Sequence, residues 1–377
     1  MIKNILVVLL LLFLLLPALQ KITGLTTDYK LEGVNENTSK PQLTAKGFFE
    51  ADFQEQYENW LQENVGYKGC LIALKNQLDH SLFHKLNYTI EEGDDGQLFY
   101  WNHIDTHCGH VTLSDDSVAR KLNECVALKS LLDSLHIKMF FVLAPGKPYF
   151  YEDKLPARFK QCNTTGNDYQ KILAGLRKKN IPVLDFNQWF RNLRTTSPYP
   201  LFPKLGTHWS FYGATLAVDS LAHYLQLPLL TQTDIAITDN ARGKDKDLYD
   251  LLNVLLPMKS DSLAYPVYKL TSNRTSARKP KILLIGDSFN WTLLDTKMLP
   301  QLCSAESRFW FYKHQLYDLE GKWISDNPDE VDLYKLLKGT DAVIFLSTEA
   351  LYHRFDHGFA NSLLNNKAAV DSLIQNR

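Results

Sequence analysis

Cysteine is scarce in this chain, with five among 377 residues, at positions 70, 108, 125, 162 and 303. None forms a Cys-x-x-Cys pair, which excludes a zinc ribbon or a thioredoxin-type motif. Excess charge of one sign is also absent. The 41 Lys and Arg against 42 Asp and Glu leave a net charge of −1. Nucleic-acid binding usually requires a basic face, so no nucleic-acid partner is expected. There is no internal repeat and no long low-complexity tract, which removes solenoid and disordered-scaffold readings. The remaining composition, 45% apolar, 12% aromatic and 22% charged, is that of an ordinary folded protein.

A single long apolar run stands at the amino terminus. Residues Ile5 to Leu19 are almost unbroken Leu, Val, Ile and Phe, and Lys3 precedes them. The run is shorter than the ~20 residues of a comfortable span. Its exit, Pro17-Ala18-Leu19-Gln20-Lys21, lacks the small-x-small pattern of a cleavable signal peptide. Residues 1–21 therefore read as a retained signal anchor, with a signal peptide as the alternative. Either way the bulk of the chain is exported, and a membrane contact through this segment is expected. In an exported protein five cysteines allow one or two disulfides and leave an odd thiol.

Residues 22–46 are polar and mixed and read as a tether. Residues 47–377 read as one domain. Helical patterns cover 47–86, 114–135, 167–179 and 210–226. Buried strands are expected at 137–143, 181–185, 282–285, 309–312 and 342–346. Continuously apolar strands alternating with helices predict an α/β fold, a parallel sheet with helices on both faces. In such sheets the site lies at the carboxyl ends of the strands. Residues 239–279 interrupt the alternation. Their charged stretch Lys244-Asp245-Lys246-Asp247 reads as an insertion able to cover one side of a site.

Two short segments carry chemistry. Lys281-Ile282-Leu283-Leu284-Ile285 runs into Gly286-Asp287-Ser288-Phe289. A strand ending in Gly-Asp-Ser exposes a serine hydroxyl on a tight turn, with free backbone N–H groups beside it. The serine needs a base to act as a nucleophile. Gly206-Thr207-His208-Trp209 supplies a histidine before a helix. The serine segment is not Gly-x-Ser-x-Gly, so the α/β-hydrolase elbow is not matched. His103, His107 and His110 lie close to Cys108; His103 and His107 are four apart, but their segment does not read as a helix, and no metal is expected.

Together these segments resemble the SGNH-hydrolase-like polysaccharide O-acetyltransferases, the AlgJ/AlgX-type or DHHW group. Further matching pieces are Asn64-Val65-Gly66-Tyr67-Lys68-Gly69, Gly96-Gln97-Leu98-Phe99-Tyr100, Ala144-Pro145-Gly146-Lys147 with Tyr151-Glu152-Asp153-Lys154-Leu155-Pro156, and Lys246-Asp247-Leu248 with Leu251-Leu252. The resemblance implies an SGNH-like, flavodoxin-like sheet with no cofactor. It implies Ser288 as nucleophile and His208 as general base. An acetyl group would be carried on Ser288 and passed to a polysaccharide acceptor. It also implies a multi-pass membrane acyltransferase of the MBOAT type as acetyl supplier, on the periplasmic side of the inner membrane.

One position departs from the group's pattern. Where the group has aspartate two residues before the histidine, this chain has Gly206. The acid of a serine triad holds the histidine tautomer and stabilises its cation. Three readings stay open: a carboxylate from elsewhere, with Glu349, Asp287 and Asp105 as candidates; a backbone carbonyl orienting His208 in a dyad; or an impaired member that binds glycan or assembles a complex. An acetyl-esterase is the alternative within the same chemistry, since water and a sugar hydroxyl compete for one acyl-enzyme. Trp209 and Tyr212 are candidates to stack on a sugar, and Lys147 and Tyr151 to line its groove.

Overall fold

The computed structural model describes all residues except 1, 25, 34–38, 45–46, 50–51, 163, 271–277, 328–330 and 376–377. Part of the 22–46 tether lies outside the described residues. The chain divides into two compact units, residues 1–88 with 249–258, and residues 89–248 with 259–377.

Among the described residues the larger unit contains eleven strands. They are β1 (Ile90–Glu92), β2 (Leu98–Tyr100), β3 (Lys138–Ala144), β4 (Val183–Asp185), β5 (Thr231–Thr238), β6 (Leu263–Lys269), β7 (Ile282–Gly286), β8 (Arg308–Phe311), β9 (Gln315–Asp318), β10 (Trp323–Ser325) and β11 (Ala342–Thr348). Seven of them form the main sheet in the order β10-β9-β8-β7-β11-β3-β4. The five from β8 to β4 run parallel, and β9 and β10 add an antiparallel edge. The sheet is thus mixed at one side, beyond the purely parallel sheet the apolar runs predict. β1 pairs with β2, and β5 with β6, as separate two-stranded ribbons.

Strand alternation sends side chains to two cores. Met139, Phe141, Leu143, Leu283, Ile285, Val343 and Phe345 point to one face, where helices Asp115–Ser134 and Asp168–Lys178 cover them. Phe140, Val142, Leu284, Ile344 and Leu346 point to the other, under helices Phe186–Leu193, Phe211–Tyr224 and Phe289–Asp295. Local chemistry starts these helices where the sequence suggests. Ser114, Asn167 and Ser210 each accept a backbone N–H three residues on, satisfying a donor that the first turn leaves orphaned. Parallel register brings Ala144, Gly286, Phe311 and Thr348 to one rim. Among the described residues one disulfide, Cys108–Cys162, closes a separation of 54 residues. In the chain-entropy account such a loop contributes about 4 kcal/mol. Cys70, Cys125 and Cys303 are free.

The smaller unit holds helices Ile2–Thr23, Phe53–Asn64 and Lys68–Phe83. Residues Lys3–Thr23 are long and apolar enough to cross a membrane, by length and composition, with mean hydropathy 2.6.

Candidate active site

β7 ends at Gly286 because β11 and the following helix come too close for a side chain. A Cβ there would fall 2.3 Å from both the Leu346 carbonyl oxygen and Asn290 Nδ2. Asp287 then turns inward. Its carboxylate accepts from the Phe289 N–H at 3.0 Å, and from the Thr348 N–H and hydroxyl at 2.6 and 2.8 Å. Burial pushes its pKa up against these donors. Asp287 therefore ties the end of β7 to the end of β11, and the turn leaves Ser288 half-exposed at the rim.

His208 arrives from the opposite direction, on the loop before helix Phe211–Tyr224. That loop hangs on buried Lys147, whose ammonium donates to the carbonyls of Pro203, Lys204 and Gly206 at 2.7, 2.9 and 2.8 Å. Burial pulls the Lys147 pKa down to about 7. The Leu98 N–H of β2 donates to the same Lys204 carbonyl at 2.9 Å. Trp209 plugs the core next to His208, stacking on Phe190 and donating its Nε1–H to the Phe289 carbonyl at 3.2 Å.

The two residues meet. His208 Nε2 stands 2.9 Å from Ser288 Oγ, and Nδ1 stands 2.6 Å from Asp247 Oδ2. The other carboxylate oxygen of Asp247 accepts the Thr207 N–H at 2.9 Å. Burial pushes the Asp247 pKa up, but His208, its hydrogen bond and the Thr207 N–H outweigh burial and hold the carboxyl below its usual value. An ionised Asp247 fixes the proton on Nδ1, which leaves Nε2 free to accept the Ser288 hydroxyl proton.

The acid beside His208 is thus none of those expected from the sequence. Glu349 is buried against His107, its Oε1 3.0 Å from the ring Nδ1. Asp287 is consumed by the turn. Asp105 pairs with His110 at 2.8 Å. A backbone-oriented dyad is not what the loop builds either. Asp247 opens a short helix at the end of the charged stretch. That stretch passes so close to the histidine loop that a Cβ at Gly206 would lie 2.5 Å from the Lys244 carbonyl oxygen and 3.0 Å from the Asp245 carbonyl carbon. The side chain missing at 206 is replaced by this backbone, which carries its own carboxylate to the ring. The signal in the sequence was an insertion rich in aspartate, able to cover one side of a site.

Two further expectations need correction. Trp209 is fully buried and lies in the core, so it offers no sugar platform. Lys147 is 1% exposed, and its three donors are taken by the loop, so it lines no groove. Tyr151 is half-buried with the Arg194 guanidinium 4.8 Å over its ring. Tyr212 is half-buried edge-on to Tyr199 at 5.1 Å. Cys108 is in the disulfide, while His107 and His110 have carboxylate partners and His103 stacks on Phe289. Burial pulls His103 down to about 4, so it is neutral beside His208 at ordinary pH.

Sequence reasoning passed over Tyr312. It follows β8 with φ of 50°, and Lys313 follows with φ of 58°. Two consecutive non-glycine residues in the left-handed region are a strained arrangement. The Tyr312 N–H donates to the Gly286 carbonyl at 2.8 Å, which fastens this turn to the serine turn. Burial pushes the pKa of its hydroxyl up, against the pull of the nearby Ser288 N–H and hydroxyl. The one sequence signal was an aromatic immediately after a rim strand.

Residues 90–302 match the family described as SGNH hydrolase-like domain, acetyltransferase AlgX. The chain belongs to that family. Its members are SGNH-type acetyltransferases, which makes this chain an enzyme of the acetyltransferase or esterase class. Among solved structures it is similar to the O-acetyltransferase domain of Pseudomonas putida AlgJ, at 16% identity and TM-score 0.43, covering 76% of this chain and 99% of that one. It is similar to Pseudomonas aeruginosa AlgX at 15% identity and TM-score 0.39, over 72% and 67% of the two chains. A DHHW family protein from Eubacterium siraeum aligns at 12% identity and TM-score 0.43, over 72% and 98%. No curated protein matches the chain significantly in sequence.

Proposed function

We propose that this protein is an exported O-acetyltransferase that uses Ser288, His208 and Asp247 as its triad and a polysaccharide hydroxyl as acceptor. The observation that carries the reading is the unbroken chain from Asp247 Oδ2 through both ring nitrogens of His208 to Ser288 Oγ. His208 Nε2 takes the Ser288 proton as Oγ attacks the acetyl carbonyl. The tetrahedral oxyanion is met by the Ser288 N–H and the Tyr312 hydroxyl. The donor's leaving oxygen departs with the proton from Nε2, and the acetyl remains as an ester on Ser288. A sugar hydroxyl then gives its proton to Nε2 and attacks the ester, the second oxyanion collapses, and Oγ recovers a proton.

Family membership supports acetyl transfer as the chemistry. The apolar helix Lys3–Thr23 supports a retained anchor, with the catalytic unit on the export side of the inner membrane. An acetyl supplier within that membrane, of the multi-pass MBOAT type, fits this placement. With an acid seated on His208, the impaired, glycan-binding reading loses its motive.

The test uses a chromogenic acetyl ester, with and without an oligosaccharide acceptor. The expected result is acceptor-dependent transfer, its loss in Ser288→Ala, and an acetyl group on Ser288 by mass spectrometry of the trapped enzyme. Fast hydrolysis unaffected by acceptor would make the protein an esterase. Unchanged turnover in Ser288→Ala would overturn the serine mechanism altogether.

A further inference from the structure

Helix Lys68–Phe83 of the smaller unit is packed inside out. Leu71, Leu74, Leu78 and Leu82 recur at three- and four-residue steps and so form one stripe. Burial of leucine is the main driving force for folding, yet these four are 37%, 44%, 48% and 65% exposed. Apart from half-buried Ile72, the residues turned inward are small or polar. Gly69 and Ala73 are buried. Asn76 Nδ2 donates to the Leu252 carbonyl at 2.8 Å, and Gln77 Oε1 accepts the Leu256 N–H at 2.8 Å. Leu255 and Leu256, on the segment these amides hold, are also exposed, at 46% and 61%. The inward hydrogen bonds fix the helix rotation, so the stripe cannot turn in without breaking them.

The contacts at the start of this helix point to what covers its leucine face. Asp28 caps the first turn, accepting the N–H groups of Gly69 and Cys70 at 2.9 and 3.0 Å. Those two donors and the Tyr29 N–H outweigh the upward push of burial and hold the Asp28 carboxyl below its usual value. Asp28 is five residues beyond Thr23, where the apolar helix ends, a reach of about 17 Å at full extension. The join is tighter than that limit. Lys21 Nζ donates to Asn64 Oδ1 at 3.3 Å, Thr26 and Tyr67 hydroxyls lie 2.8 Å apart, and a Cβ on Gly66 would lie 2.1 Å from the Pro17 carbonyl oxygen. The loop that starts the leucine-striped helix is therefore packed on the last turns of the membrane-length helix.

We propose that helix Lys68–Phe83 lies in the plane of the bilayer at headgroup depth, with Leu71, Leu74, Leu78 and Leu82 in the acyl boundary, as a second lipid contact beside the anchor. Such helices insert an apolar stripe and keep polar atoms outward. Here the polar atoms also hold the Leu251–Leu256 segment, so one bilayer contact fixes two parts of the unit. An anchor alone leaves the rest of the smaller unit free to swing. A helix lying flat removes that freedom.

The test uses the full chain in phosphatidylethanolamine/phosphatidylglycerol vesicles. In a Cys70→Ser background, Leu74→Cys, Leu78→Cys and Leu82→Cys are each labelled with an environment-sensitive fluorophore, and Val126→Cys on the larger unit serves as control. Lipids brominated near the glycerol are expected to quench the three helix labels at least twofold, more than lipids brominated near the acyl terminus, and to leave the control within 10–20% of its unquenched signal. Aqueous iodide is expected to reach only the control. Three labels open to iodide and blind to bromolipid would overturn the proposal. Shielding from both quenchers would also overturn it, since the cover is then protein. Neither readout involves acetyl transfer, so failure here leaves the catalytic reading intact.

Discussion

A Cβ on Gly206 would stand 2.5 Å from the carbonyl oxygen of Lys244, and three residues after that lysine comes Asp247, whose carboxylate holds His208. The backbone that supplies Asp247 occupies the volume the other aspartate would need.

That relationship sets opposite expectations for two variants. Asp247→Asn keeps the shape but loses the charge, so kcat for acetyl-ester turnover should fall by about 10³–10⁴, as triads do when their acid is neutralised, with KM little changed. Gly206→Asp restores the group's motif on paper, yet its side chain meets backbone on the Lys244 side. It should lower Tm and activity, and it should not rescue Asp247→Asn in the double variant. Recovery of activity in that double variant would refute the steric account.

Tyr312→Phe removes one hydroxyl from Ser288 and little else, because the turn is held by the backbone bond to Gly286. If the hydroxyl meets the oxyanion, kcat should drop about 10²-fold while Tm stays within a degree or two. Equal losses in kcat and Tm would mark Tyr312 as a packing residue instead.

Lys147→Met strips the donor from three carbonyls in the loop that presents His208. The Lys204 carbonyl keeps the Leu98 N–H, but those of Pro203 and Gly206 are left unpaired at about 1–3 kcal/mol each, so a clear fall in denaturant midpoint is expected. The residual folded enzyme should show a reduced kcat with an altered pH profile, since the ring it positions is the general base. A stability loss with the profile unmoved would limit Lys147 to scaffolding.

Asp245 makes a pH prediction. Burial raises its carboxyl to about 7 in the folded protein, from 3.8. Between those values the folded state binds the proton that the unfolded state has released, so this group's contribution is complete below about 4 and is lost as pH rises through 7. A difference of one pH unit between the folded and unfolded carboxyl corresponds to about 1.4 kcal/mol. Asp245→Asn keeps an acceptor for the Phe211 N–H and removes the titration. Its Tm should fall less than the parent's between pH 5 and pH 8. Parallel curves would show that the carboxyl titrates normally.

What could be read in advance follows from how local each signal is. The strands at Lys138–Ala144 and Ala342–Thr348 are visible because both faces are buried and the apolar run is continuous. The serine turn is visible because it directly follows such a strand. β5 escaped notice because its side chains are nearly all exposed or half-exposed and carry no apolar period. Asp247 lies 39 residues from His208; the sequence marks it as one charge among four and as part of the matching Lys246-Asp247-Leu248 piece, and only long-range packing makes it a partner. Lys147 and Trp209 misled for the reverse reason. A lysine after Pro-Gly and a tryptophan beside a candidate histidine suggest a groove, whereas the carbonyls of 203–206 and the ring of Phe190 drew them inward.

The separation of base and acid also changes how relatives should be compared. A position-by-position check of the two residues before each histidine would put this chain among those lacking a triad. Here the space against the imidazole is filled by a neighbouring loop that brings its own carboxylate. Chains with glycine at that position are therefore best sorted by whether a loop with its own carboxylate passes there.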